Sequence, residues 1–186
     1  MNHLPTHHPE RSELAPLSNA ELVARFKIGV ENFDRRVVEL PDAQLDTAFR
    51  PETNIGRWPC RVLIGHMADA DLVWNHRIRR AVGEMNPVFS LWDENSFIDA
   101  GLYGTPETGG AHPIGAFLAS LHTGRQWISQ WLGTLDAASW ARCGLHPDRG
   151  AISIRAMLEL TTWHLEHHAW YLNLKVNHLT GSGPSH

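Results

Sequence analysis

The sequence predicts an all-α fold, a bundle of four long helices, and three observations carry that prediction. Apolar residues recur at three- and four-residue steps in four long segments, helix start and stop residues bound those segments, and the connections are polar or rich in Gly and Pro, with no strand-like alternation. At 186 residues and 42% hydrophobic, the chain has the length of one domain and enough apolar side chain for a full core.

Residues 1–15 carry His3, His7, His8 and two prolines without periodicity and are expected as a flexible arm; the bundle is expected over 16–180 and a flexible tail over 181–186. Ser18 and Glu21 have capping-box spacing, and Leu22, Phe26, Val30, Phe33, Val37 and Leu40 follow on one face, which predicts a first helix over about 18–40. Pro41 opens a short helical turn. The second helix is predicted from Pro59 to about Val82, with Arg77, Arg79 and Arg80 in its last turns, where cations suit the helix dipole.

Residues 83–112 form a long loop with five Gly and two Pro. Loops of this length are often lids or binding walls. Its Phe89, Trp92, Phe97 and Tyr103 suit a pocket wall and equally suit packing the loop down. The third helix is predicted from Pro113 to Leu135 and the fourth from Ser153 to about 178. Trp74, Trp127, Trp131, Trp163 and Trp170 fall at core spacing. LPDAQLD before the second helix echoes TLDAASW before the fourth, which raises a duplicated helix pair.

With 16 Lys+Arg against 20 Asp+Glu, the net charge of −4 supplies no basic field for nucleic acid. No run approaches the roughly 20 apolar residues of a membrane span, and the first residues do not read as a signal segment, so a cytoplasmic protein is expected. Cys60 and Cys143 read as reduced thiols; Cys60 is a weak candidate nucleophile.

The chain carries 13 His, and three positions stand apart from the rest. In Trp163-His164-Leu165-Glu166-His167-His168, His164 and His168 lie one turn apart, about 6 Å in rise, so both imidazoles can hold one metal ion. Spacing alone leaves His167 open as the second ligand, since an i,i+3 pair also shares a face. His66, amid the apolar IGHMADADLVW, is awkward to bury without a partner and is the candidate third ligand. Three neutral nitrogens leave coordination positions for water or substrate, as in catalytic sites, and suit zinc or nickel. Asp69, one turn after His66, could orient a ligand or serve as a general base; it could equally be an exposed helix carboxylate. The remaining histidines, His146 among them, read as incidental.

These residues resemble the DinB/YfiT-like superfamily of metal-dependent four-helix proteins over residues 18–178. The resemblance rests on the segment from Gly56 to Asp69 containing Trp58 and His66, on the long loop with Trp92 and Asp93, and on the WHLEHH segment. It implies His66, His164 and His168 as the ligands of a divalent ion and leaves His167 beside the site. It further implies a homodimer and a small-molecule substrate. Related members are thiol S-transferases and thiol-dependent isomerases, and others are described as metal-dependent hydrolases. On this reading a bound ion activates a low-molecular-weight thiol or a water, Asp69 or His167 handles protons, and Trp92 walls the cofactor and substrate cleft. A non-catalytic metal or small-ligand binding protein of the stress response is the rival expectation.

Overall fold

The computed structural model describes residues 4–104 and 111–181. In order, the elements are α1 (Asn19–Lys27), α2 (Asp42–Leu45), α3 (Cys60–Gly83), α4 (Glu94–Asp99), α5 (Ile114–Leu132), α6 (Ala137–Trp140), β1 (Cys143–His146), β2 (Gly150–Ser153) and α7 (Ile154–Thr180). The bundle consists of α1, α3, α5 and α7, with α1 and α3 each packed against both α5 and α7. The Ser18 hydroxyl and the Glu21 carboxylate close the expected capping box at the start of α1. Ser153 caps α7 by accepting from the Ala156 N–H at 3.2 Å.

The first helix departs from expectation: it stops at Lys27 instead of running to about residue 40. The cause is Arg125 on α5, fully buried, whose Nη1 donates to the Phe26 carbonyl at 3.0 Å. A Cβ on Gly29 would stand 2.5 Å from that Nη1, so the chain passes the guanidinium without a side chain and continues in 3-10 turns, Gly29–Asn32 and Arg35–Glu39. Phe33, Val37 and Leu40 stay buried all the same, Phe33 and Leu40 from the extended residues that end the two turns.

A second departure is the β1–β2 hairpin, where no strand was expected. It is antiparallel, with Cys143 opposite Ser153 and His146 opposite Gly150, whose φ of +68° suits glycine at the turn. Four-residue strands leave too short a pattern to read. The hairpin also holds the long loop: the Phe89 N–H donates to the Leu145 carbonyl at 2.9 Å, and the Leu145 N–H donates to that of Pro87 at 2.8 Å.

Part of the segment expected as a flexible arm belongs to the packed body. Leu14 is fully buried in the core, residues 11–14 form a 3-10 turn, and Trp163 Nε1 donates to the Pro9 carbonyl at 3.1 Å. Residues 1–3 of that arm, 105–110 of the long loop and 182–186 of the tail lie outside the described residues. Among the core tryptophans, Trp127 is a correction: it is 54% exposed, with the Arg79 guanidinium 4.5 Å over its ring.

Two apolar clusters fill the bundle. One gathers Phe26, Trp74, Ile128 and Leu158; the other gathers Phe33, Ile64, Leu121, Leu165 and Leu172. Between Met67 and Ala70 on α3, and between Leu160 and Leu165 on α7, the chain passes from one cluster to the other. The polar site described next lies at this seam.

Candidate metal centre

α3 supplies His66, and α7, packed against it, supplies His164 and His168. His66 is 3% exposed and the other two are half-buried. Their Nε2 atoms converge: His66 to His164 is 3.2 Å and His168 to His164 is 3.1 Å. Tetrahedral ligands with Zn–N bonds of about 2.0–2.1 Å stand about 3.3 Å apart, so the donors sit at metal spacing.

The donor chemistry points the same way. Burial pushes His66 down to about 4 and His164 to about 3, and pushes His168 well below the usual imidazole range, with the neighbouring rings adding to it for His164 and His168. All three are therefore neutral at pH 7, the ligating form. A neutral Nε2 carries one proton or one lone pair, so that of His164 cannot bond both neighbours. One cation facing three lone pairs satisfies the whole set. The residues fit a divalent ion.

Aromatic rings enclose the triad. Trp92 stacks on His66 at 5.6 Å between centroids and 14° between planes, and Phe97 meets Trp92 edge-on. Trp58 lies 5.1 Å from His66 and 6.2 Å from His168. The loop that brings Trp58 here is fixed by Lys175, whose Nζ donates to the carbonyls of Ile55 and Gly56 at 2.6 Å each. His66 and His164 open on a cleft of about 450 Å³ that Trp92 and Glu94 also line. His168 opens on a second, of about 480 Å³, between Trp58 and Tyr171.

Neither residue expected to handle protons is hydrogen-bonded to a ligating Nε2, although the His167 ring lies 5.0 Å from that of His168 and lines the same cleft. Asp69 makes no hydrogen bond to His66, whose buried Nδ1 has no partner among the described residues. Asp69 instead faces Tyr103, and its burial pushes the carboxyl up. His167 points its Nδ1 to His8 Nε2 at 2.9 Å and packs on Trp163. Cys60 is fully buried, which pushes its thiol up to about 11 and removes it as a nucleophile. Of the loop aromatics left open by the sequence, Phe89 and Tyr103 pack down in the core and Trp92 walls the cleft.

Sequence reasoning missed Trp58, Glu94, Arg77 and His146 as cleft residues. Arg77 carried a usable signal, since eleven residues after His66 is three turns on and the same helix face. Glu94, the first residue of the short helix α4, and Trp58, in the loop before α3, reach the site through connections that leave no periodicity. His146, which carries no signal in the sequence, is 6% exposed and stacks on Trp74 at 5.8 Å.

Fold and site together define a helical-bundle protein with three histidines gathered at metal-ligand spacing. The chain belongs to the DinB superfamily, whose family model matches residues 25–172. A protein of Oceanobacillus iheyensis named "Putative metal-dependent hydrolase" is 31% identical over 132 residues, covering 71% of this chain and 70% of its own length. A Bacillus mycoides protein with the same description is 26% identical over 141 residues, 74% of this chain and 73% of its own. The structure of YfiT from Bacillus subtilis, a four-helix bundle of unusual topology, superposes with a TM-score of 0.71 at 21% identity, covering 98% of this chain and 95% of that one. Among the described residues, no helix is long and apolar enough to cross a membrane.

Proposed function

We propose that the chain is a metal-dependent hydrolase of a small molecule, with His66, His164 and His168 holding a divalent ion, zinc or nickel. The observation that carries this reading is the convergence of three neutral Nε2 atoms at the wall of a cleft. A divalent ion bound there would lower the pKa of a water or thiol ligand toward neutrality. Glu94 lines the cleft, its charge acts on His66, and its carboxylate takes up the proton that the nucleophile gives away. Trp92 and Trp58 shield the triad from bulk water. The names of the relatives support hydrolysis.

A second reading, S-transfer with a low-molecular-weight thiol as cosubstrate, is favoured by Asp69 leaving His66 Nδ1 without a partner and by His167 turning its Nδ1 to His8. A thiol, far more acidic than water, needs less help from a base. The homodimer implied by the resemblance belongs to the same proposal, and sedimentation equilibrium tests it.

The deciding experiment has two stages. Protein purified without chelator is assayed for metal, with about one ion per chain expected; a small fraction of one ion overturns both readings. The loaded protein is then assayed for hydrolysis of an ester and amide panel, and for conjugation of monochlorobimane to several bacterial thiols. Conjugation without hydrolysis moves the assignment to S-transfer.

A further inference from the structure

The cleft that begins at His66 and His164 extends to Arg77 on α3 and to Arg149 in the turn of the hairpin. Arg77 lies about 16 Å further along the helix axis than His66, on the same face. Three arginines are buried among the described residues. Arg61 is paired with Asp42 and Asp46, and Arg125 with Asp71. Arg77, 5% exposed, has no carboxylate partner among the described residues. It lies 4.6 Å over the Trp74 ring and donates to the Ser90 carbonyl at 2.6 Å, which leaves most of its five N–H donors unused.

Arg149 adds a second guanidinium, close enough for its charge to act on both Arg77 and His146. Asp148, also lining the cleft, forms no ion pair with either arginine; its backbone N–H donates to His146 Nδ1 at 3.2 Å. Glu94 acts at the opposite, histidine end. In the cleft wall, Trp92 Nε1 is buried without an acceptor. A buried, unneutralised guanidinium is costly unless an anion meets it, and the planar fork of Arg matches carboxylate and phosphate oxygens.

We propose that Arg77 and Arg149 form an oxyanion subsite at the far end of the cleft, holding a carboxylate or phosphate group of an extended substrate whose reacting bond lies at His66 and His164. Only the word substrate rests on the metal-enzyme reading; the anion site stands on the arginines.

The test uses metal-free full-length protein, titrated by calorimetry and tryptophan fluorescence with inorganic phosphate and, separately, with glutarate. Saturable binding is expected in the wild type and in H164A, weakened about tenfold or more in R149Q and R77Q. Tighter phosphate binding assigns a phosphoryl group, and tighter glutarate binding a carboxylate. Circular dichroism checks the fold of R77Q; should it fail to fold, R149Q, exposed in the hairpin turn, carries the decision. No saturable binding of either probe, or wild-type affinity in R149Q, overturns the subsite. Wild-type protein that binds the anion but takes up no added zinc or nickel overturns the metal-enzyme reading alone.

Discussion

His66 and His164 lie 98 residues apart in the chain, yet their Nε2 atoms stand 3.2 Å from each other in the seam between two apolar clusters. His168 brings a third Nε2 to the same point. No assignment of protons lets three neutral imidazoles satisfy each other there, so the arrangement is unfavourable without a cation.

Metal binding is therefore expected to stabilise the fold. Zinc or nickel at about a thousand times its dissociation constant should add about 4 kcal/mol, read as a rise in Tm that chelator reverses. His164→Ala should abolish the rise, because His164 Nε2 is the atom within 3.2 Å of both others. His167→Ala should leave metal content unchanged, since its Nδ1 is turned to His8.

The metal-free protein should weaken in acid. Burial holds His66 down at about 4, against about 6.5 in the unfolded chain. Between those values the unfolded chain binds the extra proton, so stability is full above about pH 6.5 and falls as pH drops toward 4. His66 alone contributes on the order of 3 kcal/mol to that loss. Urea unfolding of the metal-free chain at several pH values across this window measures it, and a flat profile would contradict the burial of the triad.

Glu94→Gln distinguishes the two proposed chemistries. It removes the carboxylate that faces the cleft while leaving the three ligands untouched. Hydrolysis should fall by about 10²–10⁴ in kcat with metal content intact, whereas thiol conjugation should be little changed.

The buried pair Arg125–Asp71 ties the bundle together. Arg125 bonds Asp71 on α3 at 2.6 and 2.8 Å, the Phe26 carbonyl on α1 and the Thr161 carbonyl on α7. Arg125→Ala should cost about 3–5 kcal/mol by leaving the Asp71 charge alone, and R125L with D71L should recover much of it. Chemical denaturation of the three variants checks this.

What the sequence made legible was whatever repeats with helical period. α3, α5 and α7 fall within three residues of their expected bounds, and His164 and His168 share a face by spacing alone. The end of α1 was hidden because its cause, Arg125, lies about a hundred residues away and acts through space. Glu94 and Trp58 were hidden for a similar reason: loops place them, and the Lys175 bonds and hairpin contacts that fix those loops are long-range. Arg77 carries helix-end spacing in the sequence, but its burial without a carboxylate and its bond to the Ser90 carbonyl are tertiary facts.

Gly65 tests how the loop covers the triad. One residue before His66, it faces Tyr103, and a Cβ there would stand 2.3 Å from the tyrosine ring. Tyr103 is 3% exposed and meets Phe117 edge-on at 6.2 Å, so the ring has no free direction in which to retreat. Gly65→Ala should therefore displace Tyr103 and the loop before it, at a cost of about 1–3 kcal/mol. The same movement should loosen the stack of Trp92 on His66, raising KM while the three ligands still bind metal. Tryptophan fluorescence and metal content, measured together on G65A, separate this outcome from general unfolding: retained metal with altered fluorescence ties the Trp92 stack to Tyr103, and unaltered fluorescence would show that Tyr103 does not hold Trp92 in place.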